Sequence, residues 1–380
     1  MQRYNERRVE AVQGKRMVRW LAGLALRLFG GAVVLCAATL VVASASPGML
    51  ITFESEVVHL VQRQNAIAAD IFLMDAARNI TVNASDHPAH DTSASWSPDG
   101  TQMAFYSTRE QGIRSLYLMS ADGTIRRAAP QEVRYGYHPA WSPDSTRIAF
   151  EVDVGAQTDL YILDVTQPLE PGKNPSVLAD HLWDDRFPSW SPDGQWLAFV
   201  SWRDGNADIF RARADGSEVR NLTQDPAWDI SPSWSPDGQS IAFFSVRSLY
   251  RNLFVMKPDG GDLRQLTDTQ ELSTGTFWHA PAWSPDGSML AIQTSIDRDN
   301  EIVIVGRDGA PAMQLTRAGR SDVLPAWLPD GERLLFMSDR GGRFRVYVAE
   351  WRTQRIQSIS PADMLAVYPS VWVPSVRGSR

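Results

Sequence analysis

Trp96-Ser97-Pro98-Asp99-Gly100 is the first of six near-identical pentapeptides in this chain of 380 residues. Ser145 replaces the glycine of the second copy, and Leu328 replaces the serine of the sixth. The other copies begin at Trp141, Trp190, Trp234, Trp283 and Trp327, and successive tryptophans are 45, 49, 44, 49 and 44 residues apart. A unit of this length cannot close a hydrophobic core alone and must stack against its neighbours. The periodicity therefore predicts a repeat fold.

Each repeat continues with the same succession of short apolar runs. An apolar-Ala-Phe triplet comes first, as at Ile241-Ala242-Phe243, then a run such as Asp208-Ile209-Phe210, then one that ends as Leu222-Thr223 does. Short apolar runs between turn residues are typical of buried strands. Ser-Pro-Asp-Gly and Asp-Gly supply the residues that tight turns favour. Each repeat is thus predicted to be a four-stranded antiparallel meander of about 45 residues, the size of one propeller blade.

This series of motifs closely resembles the TolB-type β-propeller repeat over about residues 50–374. The resemblance implies an all-β propeller and a non-catalytic protein that binds a partner in the cell envelope. TolB itself works in the Tol system with a peptidoglycan-associated lipoprotein. The chain departs from TolB because it has no recognisable separate N-terminal α/β domain, so membership of a Tol system stays open.

The two ends of the chain predict a seventh blade that is split between them. Trp372 follows Trp327 by 45 residues, one full period, within a degraded opening strand. The other three strands of that blade match Ile51-Thr52-Phe53, Asp70-Ile71-Phe72 and Asn79-Ile80-Thr81. We therefore expect a seven-bladed propeller over residues 46–380, closed by pairing of residues 366–374 with the blade at 51–82. A six-bladed ring with an eroded tail is the alternative.

The first 45 residues differ in kind from the repeats. Residues 1–27 form a basic leader with seven Lys or Arg against two Glu, and residues 28–45 carry no charge. An 18-residue helix is roughly 27 Å long, close to the hydrocarbon thickness of a bilayer. Because basic flanks stay in the cytoplasm, residues 28–45 are predicted to be a transmembrane signal-anchor with the propeller in the periplasm or at the cell surface. Ala43-Ser44-Ala45 resembles a signal-peptidase site, so a cleaved and secreted protein is the alternative.

Charge and composition argue against several functions. Beyond residue 45 the chain has 30 basic and 42 acidic residues, a net charge of −12. Nucleic-acid partners require a basic surface, so none is expected. The chain has no Gly-x-Ser-x-Gly nucleophile motif and no convincing metal-ligand spacing. We therefore predict no catalytic residue, no cofactor and no metal.

Two sets of charged residues recur in phase with the tryptophans. Five residues before a tryptophan the chain has aspartate in four repeats and Trp278 in the fifth, and thirteen residues after it arginine in four repeats. Because strand one leaves the first position and strand two returns to the second, both sets should lie around one mouth of the central channel. We predict that they bind a partner; the alternative is that each Arg pairs with a neighbouring Asp and only holds blades together. The charged residues are Asp91, Asp185, Asp229, Asp322, Arg109, Arg203, Arg247 and Arg340.

Two functional classes follow. The preferred one is a membrane-tethered scaffold that binds an envelope or surface protein, a peptide or a glycan across this face. The alternative is a polysaccharide-active lyase or hydrolase that uses the central pocket, for which His138 and His279 are the best candidates. A packing role is predicted for the repeat tryptophans Trp96, Trp141, Trp190, Trp234, Trp283, Trp327 and Trp372.

Overall fold

The structure, a computed structural model, describes residues 50–372 with internal gaps. The gaps are residues 62–63, 76–79, 111, 130–138, 156, 170–173, 179–181, 249, 269–278, 297–298, 311–312, 318 and 361–366. The predicted leader 1–27 and membrane segment 28–45 lie outside the described residues, as do Trp278 and His138. Within the described residues, none of the elements is a helix with the length and apolar character needed to cross a bilayer.

All 28 elements of the described chain are strands. The first three are β1 Leu50–Val61, β2 Gln64–Asp75 and β3 Ile80–Asn83. Blade 1 comprises β4 Asp91–Trp96, β5 Gln102–Glu110, β6 Ile113–Ser120 and β7 Ile125–Arg127. Blade 2 comprises β8 Ala140–Trp141, β9 Arg147–Val154, β10 Gln157–Asp164 and β11 Ser176–Val177. Blade 3 comprises β12 Asp185–Trp190, β13 Trp196–Ser201, β14 Asp208–Arg213 and β15 Arg220–Asn221.

The second half of the chain repeats the same order. Blade 4 comprises β16 Asp229–Trp234, β17 Ile241–Ser245, β18 Asn252–Met256 and β19 Arg264–Gln265. Blade 5 comprises β20 Ala282–Trp283, β21 Met289–Ile296, β22 Asp299–Gly306 and β23 Met313–Gln314. Blade 6 comprises β24 Asp322–Trp327, β25 Arg333–Ser338, β26 Arg345–Glu350 and β27 Arg355–Ser358. The last strand is β28 Val367–Trp372.

The strands form seven four-stranded antiparallel sheets. Blades 1 to 6 are each continuous in sequence, and the seventh sheet, the split blade, has the order β28-β1-β2-β3. In the split blade Leu50 pairs with Trp372 and Glu54 pairs with Val367. Strand β28 also contacts β4 of blade 1 and β24 to β26 of blade 6. The chain is therefore an all-β propeller of four-stranded antiparallel blades, in which the split blade adjoins both the first and the last continuous blade.

The apolar triplets form the core between blades. Because side chains alternate along a strand, Leu197 and Phe199 of β13 pack towards blade 2, where they meet Leu160 and Ile162. Ala198 and Val200 of the same strand pack towards blade 4. Burying a side chain such as Phe199 contributes roughly 1.5–3 kcal/mol. In the ring, neighbouring blades cover both faces of a blade. A single repeat would expose both faces to water, which is why it is not stable alone.

The repeat tryptophans join successive blades on the face that carries the Ser-Pro-Asp-Gly turns, called here the turn face. In four blades the indole N–H donates to the backbone carbonyl that precedes the tryptophan of the previous blade. The pairs are Trp141 with Ser95 at 3.0 Å, Trp190 with Ala140 at 3.0 Å, Trp283 with Ser233 at 3.1 Å and Trp327 with Ala282 at 3.1 Å. The six described repeat tryptophans are only 7–9% exposed. They are placed for packing rather than for ligand contact.

The aspartates of the turn face hold their own turns. Ser235 Oγ donates to Asp237 at 2.6 Å, and the N–H of Gln239 donates to the same oxygen at 3.0 Å. Burial alone would raise the pKa of Asp237, but these hydrogen bonds and one from Arg307 lower it to about 2. Asp-turn hydrogen bonds of this kind fix the connection between strands one and two.

A glycine at one Asp-Gly turn is required by a close approach between blades. Gly216 has φ of +84°, and a Cβ there would lie 2.4 Å from the carbonyl oxygen of Leu178 in blade 2. Gly309 occupies the equivalent turn of blade 5 at φ of +85°, with nothing within 4 Å of a Cβ. Gly309→Ala should therefore cost only the left-handed strain of about 1–2 kcal/mol. Gly216→Ala should lower the free energy of unfolding by clearly more, because backbone atoms must move apart; equal urea midpoints for the two variants would contradict this.

Candidate partner-binding face

The predicted charged residues lie at one mouth of the channel. First strands of successive blades contact one another, as β12 does with β16, so they line the channel. The four aspartates open the first strands β4, β12, β16 and β24. The arginines lie at the far ends of the second strands: Arg109 is near the end of β5, and Arg203, Arg247 and Arg340 follow β13, β17 and β25. Antiparallel pairing brings these positions together, as Asp185 opposite Ser201 shows. We call this end of the sheets the channel face.

Each arginine forms an ion pair with the aspartate of its own blade. The Nη2–Oδ distances are 2.8 Å for Arg109–Asp91, 2.9 Å for Arg203–Asp185, 2.7 Å for Arg247–Asp229 and 2.8 Å for Arg340–Asp322. All four aspartates are fully buried, and the arginine side chains are 13–22% exposed. The Arg–Asp pairing given as the alternative is therefore present in all four blades, and each of these pairs joins the first and second strands of one blade.

A serine and two aromatic rings complete each pair. Arg203 Nε donates to Ser201 Oγ at 2.8 Å, and its guanidinium carbon lies 4.8 Å from the ring centre of Phe210. Burial raises the pKa of Asp229, and hydrogen bonds from Ser245 and Arg247 oppose that rise. The serines were not predicted from the sequence, although a Ser-x-Arg pattern recurs in these four repeats. The serine positions are Ser107, Ser201, Ser245 and Ser338.

This geometry limits what the eight charged residues do. The buried aspartates cannot contact a partner in this arrangement. Each arginine exposes only a small part of its guanidinium group, because aromatic rings and the paired carboxylate cover the rest. Charge reversal at Arg203 or Arg247 would place a carboxylate beside a buried aspartate. Such variants would therefore report on folding as well as on binding.

Apolar side chains stand exposed on the same face. Their exposed fractions are 85% for Leu182, 52% for Trp183, 51% for Trp228 and 39% for Val246. Single exposed hydrophobic side chains are ordinary, but exposed tryptophans that are close together mark binding surfaces. None of these residues belongs to the repeat pattern, so the periodicity gave no signal for them.

A small pocket opens between blades 4, 5 and 6, and one predicted histidine lines it. Its wall includes His279, Gln293 and Arg251. Arg251 lies 4.8 Å above the ring of Phe244 and donates to the carbonyl of Gln293 at 3.2 Å, and burial lowers its pKa. Among the described residues, no cluster of three or more His, Cys, Asp or Glu could hold a metal ion.

One buried carboxyl group lies between blades 2 and 3. Glu151 is 2% exposed, and its Oε1 accepts the N–H of Phe187 at 3.1 Å. Burial raises its pKa to about 7, with Asp153 adding to the rise and Arg186 and Arg114 opposing it. Burial and the charge of Glu151 also raise the pKa of Tyr106.

The raised pKa of Glu151 predicts a pH-dependent loss of stability. A carboxyl whose folded pKa is about 7 stabilises the fold below its unfolded value of 4.5 and loses that contribution as pH rises through 7. Glu151→Gln mimics the protonated acid and should be free of this loss. The free energy of unfolding of the variant, relative to that of the wild type, should rise by about 2 kcal/mol when the pH is raised from 5 to 8. Urea unfolding at both pH values would measure this change. A difference that does not change with pH would rule out the raised pKa.

Comparison with known sequences identifies the repeat. The sequence profile of a family described as the TolB beta propeller domain matches residues 126–277 and 273–377. An uncharacterized protein of Agrobacterium fabrum is 31% identical over 127 residues, which is 33% of this chain and 41% of that protein. The chain thus spans less than half of this curated relative.

Comparison with solved structures gives the same fold. TolB from Acinetobacter baumannii aligns with a TM-score of 0.50 at 20% identity, over 70% of this chain and 63% of that one. A puromycin-hydrolyzing peptidase of Mycobacterium tuberculosis aligns with a TM-score of 0.63 at 13% identity, over 82% and 53%. An oligogalacturonate lyase in complex with manganese aligns with a TM-score of 0.58 at 17% identity, over 78% and 86%. At such identities the likeness is one of fold alone.

Proposed function

This chain belongs to the TolB beta propeller domain family, and from that premise we propose that it is a non-catalytic, membrane-tethered scaffold. It binds an envelope or surface protein, a peptide or a glycan across its channel face. The observation that carries this proposal is the exposure of Trp183 and Trp228, each about half exposed at 52% and 51%, on that face. Tryptophan is enriched where proteins bind partners. On the turn face, by contrast, the repeat tryptophans and the turn aspartates make hydrogen bonds within the protein itself.

The alternative is an enzyme that acts on polysaccharide through the central pocket. Its support is His279, which lines the small pocket between blades 4, 5 and 6 together with Arg251 and Gln293. The oligogalacturonate lyase shares this fold over 86% of its length. Turnover of a polysaccharide that His279→Ala abolishes without changing the melting temperature would favour this alternative.

The tether would set the orientation of the propeller. Strand β1 begins at Leu50 opposite Trp372, at the end of the split blade that belongs to the turn face. Residues 46–50 span at most roughly 17 Å when extended. With residues 28–45 in the bilayer, the turn face would look towards the membrane and the channel face away from it, in the periplasm or at the cell surface.

The proposal predicts a partner on one face only. A photo-crosslinking residue at position 228 on the channel face should capture a discrete partner in intact cells. The same residue at position 239, an exposed position on the turn face, should not. Deletion of residues 28–45 should move the protein from the membrane to the soluble fraction. Equal capture from both positions, or none from position 228, would contradict binding across the channel face.

A further inference from the structure

The exposed apolar side chains of the channel face belong to two neighbouring blades. Leu182, Trp183 and the half-buried Trp202 belong to the loops of blade 3, while Trp228 and Val246 belong to those of blade 4. We call these five residues the tryptophan patch. The repeat pattern predicts no role for these residues, because they lie in the connecting loops and not in the strands.

Backbone and side-chain hydrogen bonds place the parts of the patch side by side. In blade 3 the N–H of Trp202 donates to the carbonyl of Asp184 at 3.1 Å, and in blade 4 that of Val246 donates to Trp228 at 3.2 Å. Asn206 Nδ2 links the two blades, donating to the carbonyl of Asp225 at 2.6 Å and to that of Ala227 at 3.0 Å. The loops that carry the patch are therefore hydrogen-bonded neighbours at the junction of blades 3 and 4.

The scaffold does not require apolar residues at these positions. Blade 1 makes the same backbone contact between Thr108 and His90 at 3.2 Å, and blade 6 makes it between Asp339 and Ser321 at 3.3 Å. All four blades also carry the same Asp–Arg pair. Trp202 packs against the core of blades 3 to 5, but Trp228 and Val246 stand where blades 1 and 6 have polar residues, so this backbone contact does not require them to be apolar. They expose apolar area to water at a cost that binding would remove.

Carboxylates surround this apolar surface. Asp184 is 32% exposed, beside Arg186 at 2.9 Å, and Asp225 is 31% exposed, 3.7 Å from Arg247. Asp204 is exposed as well, and it accepts a hydrogen bond from Asn221 at 2.7 Å. The nearby Arg203 and Arg247 are, by contrast, largely covered by rings and carboxylates. Arg186 balances Asp184, and Arg203 and Arg247 balance the buried Asp185 and Asp229, so Asp204 and Asp225 leave the rim with a net negative charge.

We propose that the tryptophan patch is the docking site of a peptide segment whose apolar side chains are flanked by Lys or Arg. This inference rests on the proposed function and specifies the partner of the channel face. Leu182 and Val246 favour peptide over glycan, because aliphatic side chains pack against other apolar side chains, whereas sugars stack on flat rings. The apolar centre with a charged rim is the usual anatomy of a protein interface, and its basic complement follows from the acidic rim.

The test uses the purified full chain in detergent and a peptide display library. Peptides with one or two large apolar residues between Lys or Arg should be enriched. A synthetic copy of the strongest binder, labelled with a fluorophore, should bind the full chain, and its Kd should rise with ionic strength. Trp183→Ala and Trp228→Ala should each raise that Kd by about tenfold or more.

The control is Ile113→Ala, which truncates another exposed side chain of the channel face, 39% exposed and in blade 1. It should leave the Kd unchanged, and thermal melting should show that all three variants remain folded. Enrichment of acidic peptides, or an equal loss of peptide affinity in Ile113→Ala, would contradict the proposed docking site. If no peptide binds but a glycan array does, and crosslinking from position 228 still captures a partner, the peptide assignment falls while the proposed binding function stands.

Discussion

Asp185→Ala is expected to lower the free energy of unfolding by about 3–5 kcal/mol. Asp185 is fully buried and binds Arg203, whose side chain is 13% exposed, at 2.9 Å. Without the carboxylate, the guanidinium remains against Phe199 and Phe210 with its counter-charge removed. A charge left mostly buried and unpaired is costly because the protein solvates it far less well than water does. Urea unfolding monitored by tryptophan fluorescence would measure the loss.

An exposed ion pair of the same blade provides the control. Glu218 binds Arg213 at 2.6 Å, a shorter distance, but their side chains are 58% and 38% exposed. Glu218→Ala should therefore change the free energy of unfolding by only about 0–1 kcal/mol. The double variant Asp185→Ala/Arg203→Ala should lose less than the sum of its single variants, because it leaves no unpaired charge. Similar losses in Asp185→Ala and Glu218→Ala would show that burial does not govern these pairs.

Removal of residues 367–380 should have an even larger effect, because it deletes strand β28. This strand is the edge partner of β1 in the split blade, and it contacts blades 1 and 6 on either side. Without it, β1 exposes unpaired backbone groups, and the channel side of two neighbouring blades loses its cover. We expect a loss of several kcal/mol in the free energy of unfolding and a strong tendency to aggregate, measured by thermal melting and light scattering.

A shorter truncation separates the strand from the tail. Removal of residues 373–380 keeps β28 and its pairing of Leu50 with Trp372. That variant should melt close to the full chain. If both truncations melt like the full chain, the pairing of β28 with β1 does not hold the propeller closed.

The sequence alone determined the blade and its chemistry. Six copies of a turn motif at a period of about 45 residues allow only a fold in which each unit is covered by its neighbours. The all-β propeller with four-stranded antiparallel blades, and its membership of the TolB-type repeat family, are confirmed. Both follow from local signals, since Pro, Asp and Gly select the turns and alternating apolar residues select the strands.

The sequence also placed Asp185 and Arg203 at one end of the sheets, because strand direction follows from counting. It did not show that Asp185 is buried, or that Arg203 donates to Ser201 and lies against two aromatic rings. Burial depends on the loops that cover a residue, and those loops carry no period. The predicted roles of these residues and of the leader at 1–45 stay predictions.

Only the tertiary structure assembled the tryptophan patch. Trp183 and Trp228 are 45 residues apart in sequence, in loops outside the repeat pattern. They lie on one face of neighbouring blades because blades 3 and 4 pack side by side. A periodic sequence dictates what every blade has in common, since each unit must satisfy the same packing. The blades differ in residues that the packing between blades does not constrain. The function of such a residue depends on which other residues the closed ring places beside it.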